Sequence, residues 1–155
     1  MNEVKAVAFD CDGVLAANDS SWQNIHDYFG TENKEMLAKF IRKEVTEGAR
    51  EVVNELQNRG VLVAIVSSGV DLLIGSIANM LKVDDWAANG FEWDEEGWLI
   101  GSKPTVVQSH DKGITVEKFA RINSIDPENI VSVGDSGPDL SMMIPGSRFI
   151  GFNPE

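Results

Sequence analysis

Cysteine is nearly missing from this chain: one residue in 155, Cys11. A single thiol closes no internal disulfide, and a cytoplasmic setting is the expectation. Cationic residues are scarce too, with 13 Lys and Arg against 25 Asp and Glu, a formal charge of −12. Phosphate backbones are held by basic patches, so that balance argues against nucleic acid as a partner. No apolar run reaches the length of a membrane span, no signal peptide precedes the first apolar segment, and neither internal repeats nor low-complexity segments occur. What is there, 43% hydrophobic and 25% charged, fits a small soluble protein of one domain with a single good core.

Against that background one segment stands out. Val7-Ala8-Phe9 runs into Asp10-Cys11-Asp12-Gly13: an apolar strand ends in two carboxylates two residues apart, followed by glycine. Two close carboxylates repel unless a cation or a proton lies between them. The pair therefore points to a hard divalent metal with oxygen ligands, with one acid left for proton transfer. Taken alone, the segment is equally a strand followed by an Asp-Gly turn, with Cys11 packing inward.

Three further signals follow apolar runs or precede a helix. Val61–Val66 enters Ser67-Ser68-Gly69, Lys112-Gly113 stands before a helical stretch, and Ile130–Val133 enters Gly134-Asp135 and then Asp139. Singly these read as an N-cap serine, a surface lysine and a turn. In an open α/β sheet, however, ligands gather outside the carboxyl ends of the strands, where all four segments can meet. The pattern between them alternates. Strands are predicted at 4–10, 61–66, 86–90, 130–133 and 148–152, and helices at 48–59, 70–82 and 115–123. Residues 91–93 and 98–100 form a β-hairpin around Asp94–Gly97. Val52, Val53 and Leu56 are read as the buried stripe of the first helix, and Val116, Phe119, Ala120 and Ile122 as that of the last. The resulting fold class is α/β, a doubly wound parallel sheet between helical layers.

These four motifs, with Thr46–Arg50, Asn58-Arg59-Gly60 and Ala87-Ala88-Asn89 between them, resemble the haloacid dehalogenase superfamily of phosphatases, in its phosphoserine-phosphatase-like branch. The likeness covers roughly residues 4–15 and 46–153. It implies a Rossmann-like three-layer sandwich and a hydrolase that cleaves phosphate monoesters through an aspartyl-phosphate. By the same resemblance, Asp10 is the nucleophile and Asp12 the general acid and base. Mg²⁺ lies on Asp10, the Asp12 carbonyl and Asp135. Ser67, the Ser68 N–H and Lys112 hold the phosphate, and Asp139 stands behind them, orienting Lys112 or a metal-bound water. Lys103 also precedes a proline, but Lys112 is preferred for its spacing to Asp135 and its place before a helix. The alternative reading is a non-catalytic or regulatory protein that keeps the phosphate and metal site with a reduced cap.

The resemblance also places a cap insert at residues 16–47, within a single domain spanning 1–155. In the branch this insert selects the substrate, and here it is short. Asp19 matches an acidic residue that contacts the substrate amine; the arginine that clamps the carboxylate has no match, with Arg42 and Lys43 as replacements. Trp22 is read as a packing residue, with a place over the cleft as the alternative. A small phosphorylated metabolite is the expected partner. The short cap implies an open site, and so either larger substrates or closure by a second copy of the chain through the aromatic hairpin.

Overall fold

The computed structural model describes residues 3–17 and 45–153. Most of the expected cap, including Asp19, Trp22, Arg42 and Lys43, lies outside them. Five parallel strands make the central sheet: β1 (Ala6–Phe9), β2 (Leu62–Val70), β3 (Asp85–Asn89), β6 (Ile130–Gly134) and β7 (Arg148–Gly151), in the order β3-β2-β1-β6-β7. Between β3 and β6, the short strands β4 (Phe91–Trp93) and β5 (Leu99–Ser102) form a separate antiparallel hairpin. The helices are α1 (Ala49–Asn58), α2 (Asp71–Leu81) and α3 (Gly113–Ile122), with 3₁₀ turns at Pro127–Asn129 and Gly137–Met142.

The three central strands are apolar on both faces because both faces are covered. Val7, Phe9, Val63, Ile65, Val131 and Val133 point toward α1 and α2, which contribute Val53, Leu73, Ile74, Ile77 and Leu81. Ala6, Ala8, Ala64, Val66 and Ile130 face α3, which contributes Val116, Phe119 and Ala120. Two residues depart from the helical stripes expected of them: Val52 is 48% and Ile122 64% exposed. Each lies off its helix's buried line. Ile122 is two positions past Ala120, a turn of roughly 200° about the axis at 3.6 residues per turn.

Strand pairing fixes the height of the functional segments. Phe9 pairs with both Ile65 and Val133, so Asp10, Ser67 and Asp135 all emerge within two residues of one level. Strand order reverses at β1, from which the chain moves to β2 on one side and β6 on the other. The crevice at that reversal is where open α/β sheets bind ligands. The expected insert enters and leaves at the same rim: Ala16 bridges Val45, and the Thr46 N–H donates to the Leu15 carbonyl at 2.9 Å.

Candidate active site

Lys112 is the centre of the cluster. It is buried, and its Nζ donates to Asp10 Oδ1 at 2.7 Å and to Asp139 Oδ1 at 2.5 Å. Two features hold it there. Its own N–H donates to Ser141 Oγ at 3.0 Å, and the next residue, Gly113, opens α3 so close to the Ser141 carbonyl that a Cβ would lie 2.5 Å from its oxygen. Lys103, by contrast, pairs with Asp71 at 3.1 Å and is exposed.

Asp139 has no free carboxylate oxygen. Oδ1 takes Lys112, while Oδ2 accepts from Ser136 Oγ at 2.6 Å, the Ser136 N–H at 2.9 Å and the Asp135 N–H at 3.2 Å. Ser136 and Asp139 form a capping box at the start of the 3₁₀ turn. Gly134 makes room for it, since any Cβ there would collide with the Asp139 side chain.

Asp10 is buried at the end of β1, its N–H donating to the Val133 carbonyl at 2.8 Å. The chain then turns tightly: the N–H groups of Val14, Leu15 and Ala16 all donate to the Cys11 carbonyl. Gly13 takes φ +74°, and a Cβ there would strike the Asp135 carboxylate. The turn carrying Asp12 therefore lies directly against Asp135. Cys11 packs inward, fully buried, and burial followed by the charges of Asp12 and Asp10 pushes its thiol well above the ordinary range.

One carboxylate oxygen each from Asp10, Asp135 and Asp139 lies within 4.8 Å of the others. Three carboxylates thus share one ammonium, which pairs directly with two of them, and the charge of Asp12 is felt at Asp10. The acids respond as a crowded anionic site should. Burial, only partly offset by Lys112, pushes Asp10 up to about 7. Burial and the charge of Asp139 raise Asp135. Asp139 goes the other way: burial opposes its charge, but hydrogen bonds from Lys112 and Ser136 outweigh it and lower it. Burial also works against the Lys112 cation, yet Asp10 and Asp139 keep its pKa raised. The donors are all hard oxygens with an excess of negative charge, a fit for a divalent cation such as Mg²⁺.

Ser67 is buried, with its Oγ accepting from the Gly69 N–H at 3.1 Å. Ser67, Ser68 and Gly69 are not the helix-capping loop that the sequence allows. They remain within β2, at an interruption of its register with β3 between Val66 and Val70, and the cap of α2 is Val70. Asn89 secures this kink, donating to the Ser68 carbonyl at 3.1 Å and the Val107 carbonyl at 2.8 Å. Its Oδ1 accepts from the Val106 and Val107 N–H groups, both at 2.9 Å. Asn89, Ser136 and Ser141 carry no role that the sequence alone assigns; of the three, only Ser136 has a spacing signal, Ser-x-x-Asp with Asp139.

This fold, with acids at the ends of β1 and β6 and a lysine at the start of α3, defines a class: the chain belongs to the haloacid dehalogenase-like hydrolase family, whose model matches residues 5–143. Among individual proteins, it is 39% identical over 110 residues to the phosphoserine phosphatase of Methanocaldococcus jannaschii, covering 70% of this chain and 52% of that protein. It is 36% identical over 115 residues to the phosphoserine phosphatase of Archaeoglobus fulgidus, covering 74% and 33%. The chain thus spans about half or less of these curated relatives' length. Among solved structures, an apo phosphoserine phosphatase superposes with a TM-score of 0.84 at 27% identity, covering 99% of this chain and 88% of that one. A phospho-aspartyl intermediate analogue of phosphoserine phosphatase gives 0.77 at 26% identity, with the same coverage.

Proposed function

We propose that this chain is a Mg²⁺-dependent phosphatase that hydrolyses a phosphate monoester through an aspartyl-phosphate on Asp10. The observation that carries the reading is Lys112 bridging two buried carboxylates, with a third, Asp135, within reach of the same point. Magnesium would be held by carboxylate oxygens of Asp10 and Asp135 and by the Asp12 carbonyl. When bound, it supplies the positive charge that lets an anionic carboxylate meet an anionic phosphate.

The residues divide the work. An Asp10 oxygen attacks phosphorus in line, forming a new P–O bond as the bond to the substrate alkoxide breaks. Asp12 gives its proton to the leaving oxygen, then takes one from the water that attacks the aspartyl-phosphate. That second attack breaks the P–O bond to Asp10, releasing inorganic phosphate and the free carboxylate. The Ser67 hydroxyl and the Ser68 N–H donate to phosphate oxygens. Lys112 favours the ionised nucleophile and pairs with the phosphate, and Asp139 holds Lys112 in place rather than ligating metal.

The substrate is a small phosphorylated metabolite, phosphoserine-like in class, as the relatives' names support. Residues 16–47 act as a short cap within a single domain, a reading favoured by the Ala16–Val45 bridge that closes the insert's base. The lone buried thiol suits the cytoplasm. The test is a screen of phosphorylated metabolites, phosphoserine among them, with and without Mg²⁺. Metal-dependent phosphate release that disappears in Asp10→Asn is the expected result. Metal binding without turnover on any phosphomonoester would refute the enzyme reading.

A further inference from the structure

Beside the hairpin, on the α3 face of the sheet, lies a groove of about 670 Å³ away from the four acids. Its apolar wall includes Trp86, Val106, Ile114 and Ile122, which are 40–64% exposed. Gly90 and Lys103, the two roots of the hairpin, also line it. The hairpin itself is unusual for an isolated two-stranded ribbon, which is marginal in water unless something packs on it. Every residue from Glu92 to Ile100 is exposed, including Trp93, Trp98, Leu99 and Ile100 at 47–70%. Trp93 pairs with Leu99 and Glu92 with Gly101, so Ile100 is the unpaired residue of a bulge between them, and the ribbon presents its apolar side chains to solvent around that irregularity.

We infer that the hairpin of one copy docks in the groove of a second copy, and reciprocally, to form a two-fold dimer. The two surfaces match in chemistry. An apolar ribbon meets an apolar trough, and the acidic turn Asp94-Glu95-Glu96 meets a rim on which Lys118 is the lysine outside the Lys103–Asp71 pair. Of the rim's carboxylates, Asp71 is held by Lys103, and Asp85 accepts from the Trp86 N–H. The amount of surface matches as well. Eight large apolar side chains at these exposures present on the order of 900 Å² per copy, about one partner's share of a standard interface. Because hairpin and groove adjoin on one chain, a two-fold axis beside the hairpin root satisfies both contacts at once, giving a closed, isologous pair.

The inference goes beyond the phosphatase reading and does not depend on it, since its readout is mass. Sedimentation velocity or light scattering on the full chain is expected to give twice the 17.0 kDa of one copy. Trp98→Glu in the hairpin and Ile122→Glu in the groove alter exposed positions. Each is expected to weaken self-association at least tenfold, with unchanged circular dichroism. A wild-type monomer at about 100 μM would overturn the inference. So would a dimer indifferent to both substitutions.

Discussion

At the scale of single residues, the two acids of the first motif are separable. In the proposed mechanism Asp12 offers metal its backbone carbonyl and substrate its side chain, whereas Asp135 offers metal its carboxylate. Asp12→Asn is expected to keep Mg²⁺ affinity nearly intact while turnover falls roughly 10²–10⁴-fold. Asp135→Asn is expected to lose metal affinity itself. Calorimetric titration of Mg²⁺ into both variants checks this, and equal losses would mean that the ligands are misassigned. Gly13 gives a sharper steric test. Its φ of +74° disfavours any side chain, and the added methyl of Gly13→Ala would press on the Asp135 carboxylate. Mg²⁺ binding should fail while the protein remains folded by circular dichroism. The sequence exposes residues like these well, because Asp-x-Asp-Gly after an apolar run specifies both the carboxylates and the turn that aims them. It hides Asn89 and Ser141, since a lone polar side chain that ties down a loop carries no periodic or spacing signal.

Among elements, strand and helix order is legible because the runs of β1, β2 and β6 are mostly apolar, as strands covered on both faces require. The ends are less so. Ser67-Ser68-Gly69 looks like a loop by composition, yet it stays in β2 because Asn89 satisfies the carbonyl exposed where the register shifts. The 3₁₀ turn at Gly137–Met142 has too few residues for any apolar period, and its one advertisement is the capping pair. In the proposed mechanism that turn carries Asp139, the residue that holds Lys112. In Asp139→Asn, the charge holding Lys112 is gone and the ammonium is left to Asp10 alone. Turnover is expected to fall about 10–100-fold. Ser136→Ala removes the cap's hydroxyl and should cost about 1 kcal/mol of stability, with a smaller loss of rate. Thermal melts and steady-state kinetics on the two variants distinguish them: a larger kinetic defect in Ser136→Ala than in Asp139→Asn would contradict the assignment of Asp139 as the lysine's anchor.

For the whole molecule, the same cluster is expected to tie folding stability to pH and, under the proposed function, to metal. Asp10 titrates near the unperturbed carboxylate value when the chain is unfolded, but is pushed up to about 7 in the metal-free fold. Between those values the folded state holds a proton that the unfolded state has released. Its contribution to stability is thus present at low pH, declines as pH rises through that interval, and is gone above about pH 7. A bound divalent cation reverses the preference, because it must displace that proton. Mg²⁺ affinity is therefore expected to rise about tenfold per pH unit below 7 and to level off above it. Since ligand binding to the folded state adds stability in proportion to the logarithm of ligand concentration over Kd, the rise in Tm on adding Mg²⁺ should be small at pH 5 and largest above pH 7. Proton release on binding, measured by calorimetry at pH 6 in buffers of different ionisation enthalpy, reads the same linkage directly. A Mg²⁺-induced shift in Tm that stays constant from pH 5 to pH 8, with no proton released, would place the metal away from Asp10. A surviving pH dependence in Asp10→Asn would assign the linkage to Asp135, the other raised carboxylate of the cluster.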